Sequence, residues 1–153
     1  MAAIKKILCA VDFADFSPQV ADYANTLANA FQGEVHVLYI VPSMSQYVGL
    51  QVAPSSIESF VGEIISGAEE TMNRFIQDHF SDVPVQGKVI TGYAAEEIMR
   101  YALDQEMDLI VMGTHGRKGI DRILFGSVAE RVVKSSTIPV LTLRPQQSEQ
   151  TKR

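Results

Sequence analysis

The sequence has no tryptophan and a single cysteine, Cys9, in 153 residues. A lone cysteine excludes a disulfide framework, and a chain of this length buries roughly two-thirds of its unfolded surface without one. Long apolar runs are also missing. After Lys5 and Lys6 the stretch Ile7-Leu8-Cys9-Ala10-Val11 stops at Asp12, too short for a signal-peptide core and far short of the ~20 residues of a membrane span. The expectation is a cytoplasmic chain in which Cys9 is a reduced, buried, small hydrophobe. Positive charge is scarce too: the net charge is −5, and the basic spots Lys5-Lys6, Arg117-Lys118-Arg122 and Arg131-Lys134 form no long run. Such a chain repels duplex nucleic acid, so general nucleic-acid binding is not expected. Composition is otherwise that of a globular domain, 46% hydrophobic and 20% charged, which argues against disorder.

What is present is an alternation of short apolar runs with amphipathic stretches. Ile4 to Val11 reads as a buried strand. Ser17 and Pro18 then offer an N-cap and a first-turn proline, followed by Val20, Ala21, Ala24, Leu27, Ala28 and Phe31 at helical spacing, with Gly33 placed to end the helix. Val35 to Val41 is a second strand that Pro42 stops. Ser43 to Ser55 has no clear period and reads as a loop. Ser55 and Glu58 suggest a capping box for a long helix whose apolar stripe runs from Phe60 to Ile76. Val83 to Thr91, Leu109 to Met112 and Val140 to Leu143 read as further strands. Tyr93 to Gln105 and Ser127 to Ser136 read as the helices between them, the latter with Ser127 and Glu130 at capping-box spacing. The order β-α-β-α-β-α-β-α-β predicts one α/β domain over residues 1–145: a Rossmann-like, doubly wound, five-stranded parallel sheet of order 3-2-1-4-5, helices on both faces. Residues 146–153 are expected to form a flexible tail.

In such sheets ligands bind at the carboxyl ends of the strands, where the winding reverses. That directs attention to Asp12 to Ser17, to Ile40 to Pro42 and above all to Gly113 to Val128. The last segment begins at a strand end, holds Gly113, Gly116, Gly119 and Gly126, and finishes at the helix start Ser127. Glycines let backbone N–H groups approach a ligand, and a helix N-terminus favours an anion. Ser127 adds a hydroxyl, and Arg117, Lys118 and Arg122 add positive charge. Three better-known phosphate signatures are missing. There is no G-x-x-x-x-G-K-[ST], no glycine in the first βα turn, and no S-G-G-x-D-S or H-I-G-H motif.

Gly113-x2-Gly116-x9-Gly126-Ser127 resembles the G-x2-G-x9-G-[ST] nucleotide-binding motif of the universal stress protein family. The opening Lys6-Ile7-Leu8-Cys9-Ala10-Val11-Asp12 and the closing Pro139-Val140-Leu141 resemble its first and last strands. The resemblance runs from Lys5 to Arg144. It implies binding of ATP, or of ADP or AMP; a metal, if present, is expected to be Mg²⁺ or Mn²⁺ brought with the nucleotide phosphates. It implies that Asp12 and the backbone near Ala10 and Val11 meet the adenosine. Ile40 would lie along adenine, and Met112 and Gly113 would touch base and ribose. Gly116, Gly126, Ser127 and Val128 would hold the phosphates. The carboxylate of Asp12 agrees on physical grounds, since it accepts from ribose hydroxyls or the adenine amine and repels phosphate. His115 either touches the ligand or holds the loop. Lys118 and Asp121 depart from the family's commonest pattern, Lys118 in a sense that helps phosphate and Asp121 in one that opposes it. Asp121, His115 and Arg122 are not fixed as hydrolytic machinery, so binding is expected rather than turnover, with any ATPase activity slow. The resemblance further implies a homodimer through the edge strand Val140 to Leu143, and a stress-response sensor or regulator with an unknown protein partner. The alternative is a nucleotide-free dimeric interaction module of the same fold.

Overall fold

The runs Ile7 to Ala10 and Leu109 to Met112 are apolar on both of their faces, and this decides how the helices must sit. The computed structural model describes residues 2–43, 54–114 and 126–145, with the side chains of 54–57 left aside. The expected tail 146–153, most of the expected loop after Ser43 and most of the Gly-containing loop lie outside the described residues, as does the Ser55 side chain of the expected capping box. The elements run β1 (Lys6–Ala10), α1 (Ser17–Phe31), β2 (Glu34–Pro42), α2 (Pro54–His79), β3 (Val85–Gly92), α3 (Ala94–Asp104), β4 (Leu109–Gly113), α4 (Ser127–Ser135) and β5 (Val140–Leu143). They form one sheet of order β3-β2-β1-β4-β5, parallel at every pairing. This is the architecture expected from the sequence, with α2 beginning already at Pro54, inside the segment read as a loop.

Side chains alternate along β1. Ile7 and Cys9 point to the face covered by α1 and α2, where Val20, Ala21, Ala24, Ala28, Met72 and Phe75 meet them. Leu8 and Ala10 point to the face covered by α3 and α4, against Ala95, Ile98, Ala102, Ala129 and Val132. The alanines of α1 bring that helix close to the sheet. Cys9 is fully buried, and burial pushes its thiol up to about 12, so it packs as a hydrophobe and is not a nucleophile.

The end of α1 differs from the sequence reading in an instructive way. The left-handed residue is Gln32 (φ 54, ψ 47), not Gly33. The Gly33 N–H then reaches back to the Ala28 carbonyl at 2.9 Å, the long bond of a Schellman turn. Gly33 is needed for close approach instead: a Cβ there would lie 2.7 Å from the Lys5 carbonyl oxygen beside β1.

His36, read as packed or at an edge, is buried in β2 on the α3 side. Its Nδ1 lies 2.8 Å from the Tyr101 hydroxyl and its Nε2 is 2.8 Å from the Gln86 amide nitrogen and 3.4 Å from a Glu34 carboxylate oxygen. Burial pushes the imidazole below its ordinary value; Glu34 pulls it back up and Lys6 adds to the lowering.

Three outcomes follow from these contacts. Gln32→Gly relieves a left-handed non-glycine and should stabilise by about 1 kcal/mol. Gly33→Ala should cost about 1–3 kcal/mol by forcing β1 and the end of α1 apart, both read as shifts in urea midpoint. For His36 the folded chain takes up a proton less readily than the unfolded chain, which titrates near pH 6.5. Unfolding therefore binds protons below about 6.5, and this contribution, present above that pH, is lost as pH falls. Urea midpoints measured from pH 8 to pH 5 should decline, and His36→Gln should flatten part of the decline.

Candidate functional site

The chain runs outward from β1 to β2 and β3, then returns past β1 to β4 and β5. Helices on opposite faces thus diverge at the carboxyl ends of β1 and β4, leaving a crevice. A cavity of about 210 Å³ lies there.

Three local devices shape it. The first is the turn after β1. Phe13 adopts a left-handed φ of 60°, its ring held between Tyr39 (centroids 4.7 Å) and Phe75 (5.5 Å). This curls Asp12 back over the start of α1. Asp12 Oδ1 accepts the Ala14 N–H at 2.9 Å and the Ser17 hydroxyl at 3.1 Å. Ser17 therefore does not cap α1, as the sequence suggested; Phe16 is the N-cap residue, with no side-chain cap bond.

The second is Thr114, just beyond β4. Its N–H and hydroxyl both donate to the Leu143 carbonyl, at 2.9 and 3.3 Å, and its own carbonyl accepts the Gly126 N–H. The chain thus leaves the sheet and returns to it at one buried residue, which sets α4 against the end of β4. Gly113 packs tightly beside it: a Cβ there would lie 3.0 Å from the Phe16 ring.

The third is the start of α4. The expected Ser127–Glu130 capping box does not form. Gly126 occupies the N-cap, no side chain caps the helix, and Glu130 instead accepts from Lys134 Nζ at 2.7 Å, which holds its carboxyl below the usual range. Among the described residues no side chain caps the first turn of α4, whose N–H groups carry the helix's partial positive charge. The starts of α1 and α3 are likewise without side-chain caps and contribute Ser17 and Ala94 to the same lining.

The described residues around the cavity combine an apolar slot, from Leu38, Ile40, Ile98 and Met112, with one carboxylate, Asp12, and the start of α4. An apolar slot suits a flat ring, a carboxylate accepts from its amine or hydroxyl groups, and a helix start takes an anion.

A profile of the universal stress protein family matches residues 3–144. The chain belongs to the universal stress protein family. Among its relatives, the universal stress protein MJ0531 of Methanocaldococcus jannaschii is 35% identical over 147 residues, 95% of this chain and 85% of that protein. The solved structure of MJ0577 from the same organism has a TM-score of 0.81 at 26% identity, covering 94% of this chain and 98% of its own. A universal stress protein of Archaeoglobus fulgidus, solved in complex with dAMP, shares the fold, with a TM-score of 0.60 at 20% identity over 93% of this chain and 98% of its own.

Within this universal stress protein, the site residues expected from the sequence fall into two groups. Ala10, Val11, Asp12, Ile40, Met112, Gly113, Gly126, Ser127 and Val128 line the one cavity. His115, Gly116 and Arg117 lie outside the described residues. Sequence reasoning missed Thr114, and it missed Ala94 and Ile98 at the start of α3. The same rule, that ligands meet the carboxyl ends of strands, would have found the last two had it been applied after the third strand as well. Phe16, Val20 and Tyr39 also line the cavity, by packing that no local pattern displays. Ser17, read as a helix start at the end of the stretch Asp12 to Ser17, is buried in the cavity wall.

Proposed function

We propose that this universal stress protein binds an adenine nucleotide, ATP or its ADP and AMP relatives, and that it acts as a cytoplasmic, homodimeric, nucleotide-dependent sensor or regulator in the stress response. One observation carries the reading: a single apolar cavity holds both the Asp12 carboxylate and the uncapped start of α4. Those are the two unlike ends of a nucleotide. Asp12 would accept from the ribose or the adenine amine. The slot of Ile40 and Met112 would hold the base, and Gly126, Ser127 and Val128 would meet the phosphates, with Gly116, Arg117 and His115 assigned by the family motif. Family membership and the dAMP bound by the A. fulgidus protein support it.

A divalent ion, Mg²⁺ or Mn²⁺, would arrive on the phosphates, since the described residues hold no cluster of three metal-ligating side chains. Asp12 is the one carboxylate in the described lining, and its Oδ1 is already engaged. We therefore read the site as holding a nucleotide rather than turning it over, with any hydrolysis slow. A buried thiol at Cys9 suits the reducing cytoplasm. Among the described residues no helix is long and apolar enough to cross a membrane.

The homodimer reading rests on β5, an edge strand paired with β4 alone among the described strands. The Pro139 and Leu143 carbonyls face β4, accepting from Ile110 and Thr114. Alternation then turns the Val140 and Thr142 backbones outward, where a second copy can pair with them.

Because the chain lacks tryptophan, a bound adenine should dominate the ultraviolet spectrum of the purified protein near 260 nm. Titration calorimetry should show ATP or AMP binding, and Gly113→Val, which must displace the Phe16 ring, should weaken it by at least about tenfold while the circular dichroism spectrum is kept. Protein free of nucleotide that also takes up neither ligand would sink the reading. Sedimentation should give a dimer that Thr142→Pro converts to a folded monomer; an unchanged dimer would place the contact elsewhere.

A further inference from the structure

We propose that Ser17 is the positioning residue for Asp12, fixing its carboxylate so that Oδ2 alone addresses the nucleoside. This rests on the reading that Asp12 meets the nucleoside end of an adenine nucleotide. A carboxylate oxygen has two lone-pair directions. On Oδ1 both are taken, one by the Ala14 N–H at 2.9 Å and one by the Ser17 hydroxyl at 3.1 Å. The two donors come from different places, the turn itself and the first residue of α1, so together they fix the plane of the carboxylate as well as its position. With one donor gone, Oδ1 keeps a single restraint.

Ser17 is suited to this task. It is only 4% exposed, and its own N–H is tied to the Ala14 carbonyl at 2.9 Å. Its hydroxyl proton is committed to Asp12. The residue lines the cavity, yet it acts on a ligand through its neighbour. Recognition by Asp12 is therefore through one oxygen rather than as a two-oxygen clamp on a pair of hydroxyls.

The test is a double-mutant cycle on the intact chain, read by calorimetry with adenosine and with ATP. Ser17→Ala removes only the hydroxyl and puts a good helix former at the start of α1. It should weaken adenosine and ATP by the same factor, about tenfold, the order of one hydrogen bond to a charged group. In an Asp12→Ala background it should cause no further loss, and Ser17→Thr, which keeps the hydroxyl, should restore most of the affinity. Three results overturn the proposal. The first is wild-type affinity in Ser17→Ala, the second an equal cost with and without Asp12, which would make Ser17 a direct ligand contact, and the third unchanged adenosine binding in Asp12→Ala. A wild-type chain that binds neither adenosine nor ATP would instead overturn the nucleotide reading, and this inference with it.

Discussion

The pairing of β1 with β4 at the centre of the sheet is the constraint on which the rest of the structure depends. These two strands are consecutive in space and far apart in sequence, with Ile7 opposite Leu109 and Ala10 opposite Met112. Leu8, Cys9, Ile110 and Val111 are fully buried, so a slip of one residue would turn the side chains of the strand that moves to the wrong face. The register is locked at the end where both strands begin. Asp108, just before β4, accepts the backbone N–H groups of Lys5 and Lys6 through one carboxylate oxygen, each at 2.9 Å. At the far end the two strands run out together, and the crevice they leave is the cavity. The position of the site is thus a consequence of sheet register, and the site inherits the rigidity of the most buried part of the fold.

From that register the devices around the cavity follow in sequence. β4 must be met by β5, and the Leu143 carbonyl at the end of β5 supplies the acceptor that holds Thr114. Thr114 in turn holds Gly126, and Gly126 starts α4. On the other side of the strand pair, the left-handed Phe13 anchors its ring on Tyr39 and Phe75. Asp12 is then presented above the ends of the strands. An apolar anchor on one side and a hydrogen-bond chain on the other converge on one space from two ends of the sequence.

Much of this was legible in the sequence because it is carried by patterns of short range. The unbroken apolar runs at 7–11 and 109–112 announce strands buried on both faces, and their alternation with helical stripes gives the parallel order. Glycine spacing drew attention to the segment after β4. What the sequence does not display is why a particular residue occupies a particular place. Gly33 looked like the residue that ends α1, and that role belongs to Gln32; the reason for glycine lies in the Lys5 carbonyl, 28 residues away in the chain. Ser17 and Ser127 sit at the right spacing to cap helices, yet neither does. The Ser17 hydroxyl is drawn to Asp12 by the fold of the preceding turn, and α4 begins one residue earlier than the capping pattern requires. In each case a tertiary contact overrides a local preference, and in two of the three the override falls at the cavity, where a site departs from local rules to serve a ligand.

The chain carries a net charge of −5, which sets a problem for any anionic ligand, and the scale of the forces resolves it. At physiological salt, charges more than about 8 Å apart are largely screened, so the acids on the outer faces of the helices contribute little inside a crevice. A helix start acts at hydrogen-bond distance and in a medium less polar than water, where its partial charge counts for more. The acid in the first turn of α4, Glu130, is also turned to Lys134. A small anion entering the cavity therefore meets backbone donors before it meets the field of the whole protein. A long polyanion lying across the surface would meet the reverse. A net negative charge is thus compatible with a small anion at a helix start, and the distinction comes from where the donors are placed, not from how many cations the chain contains.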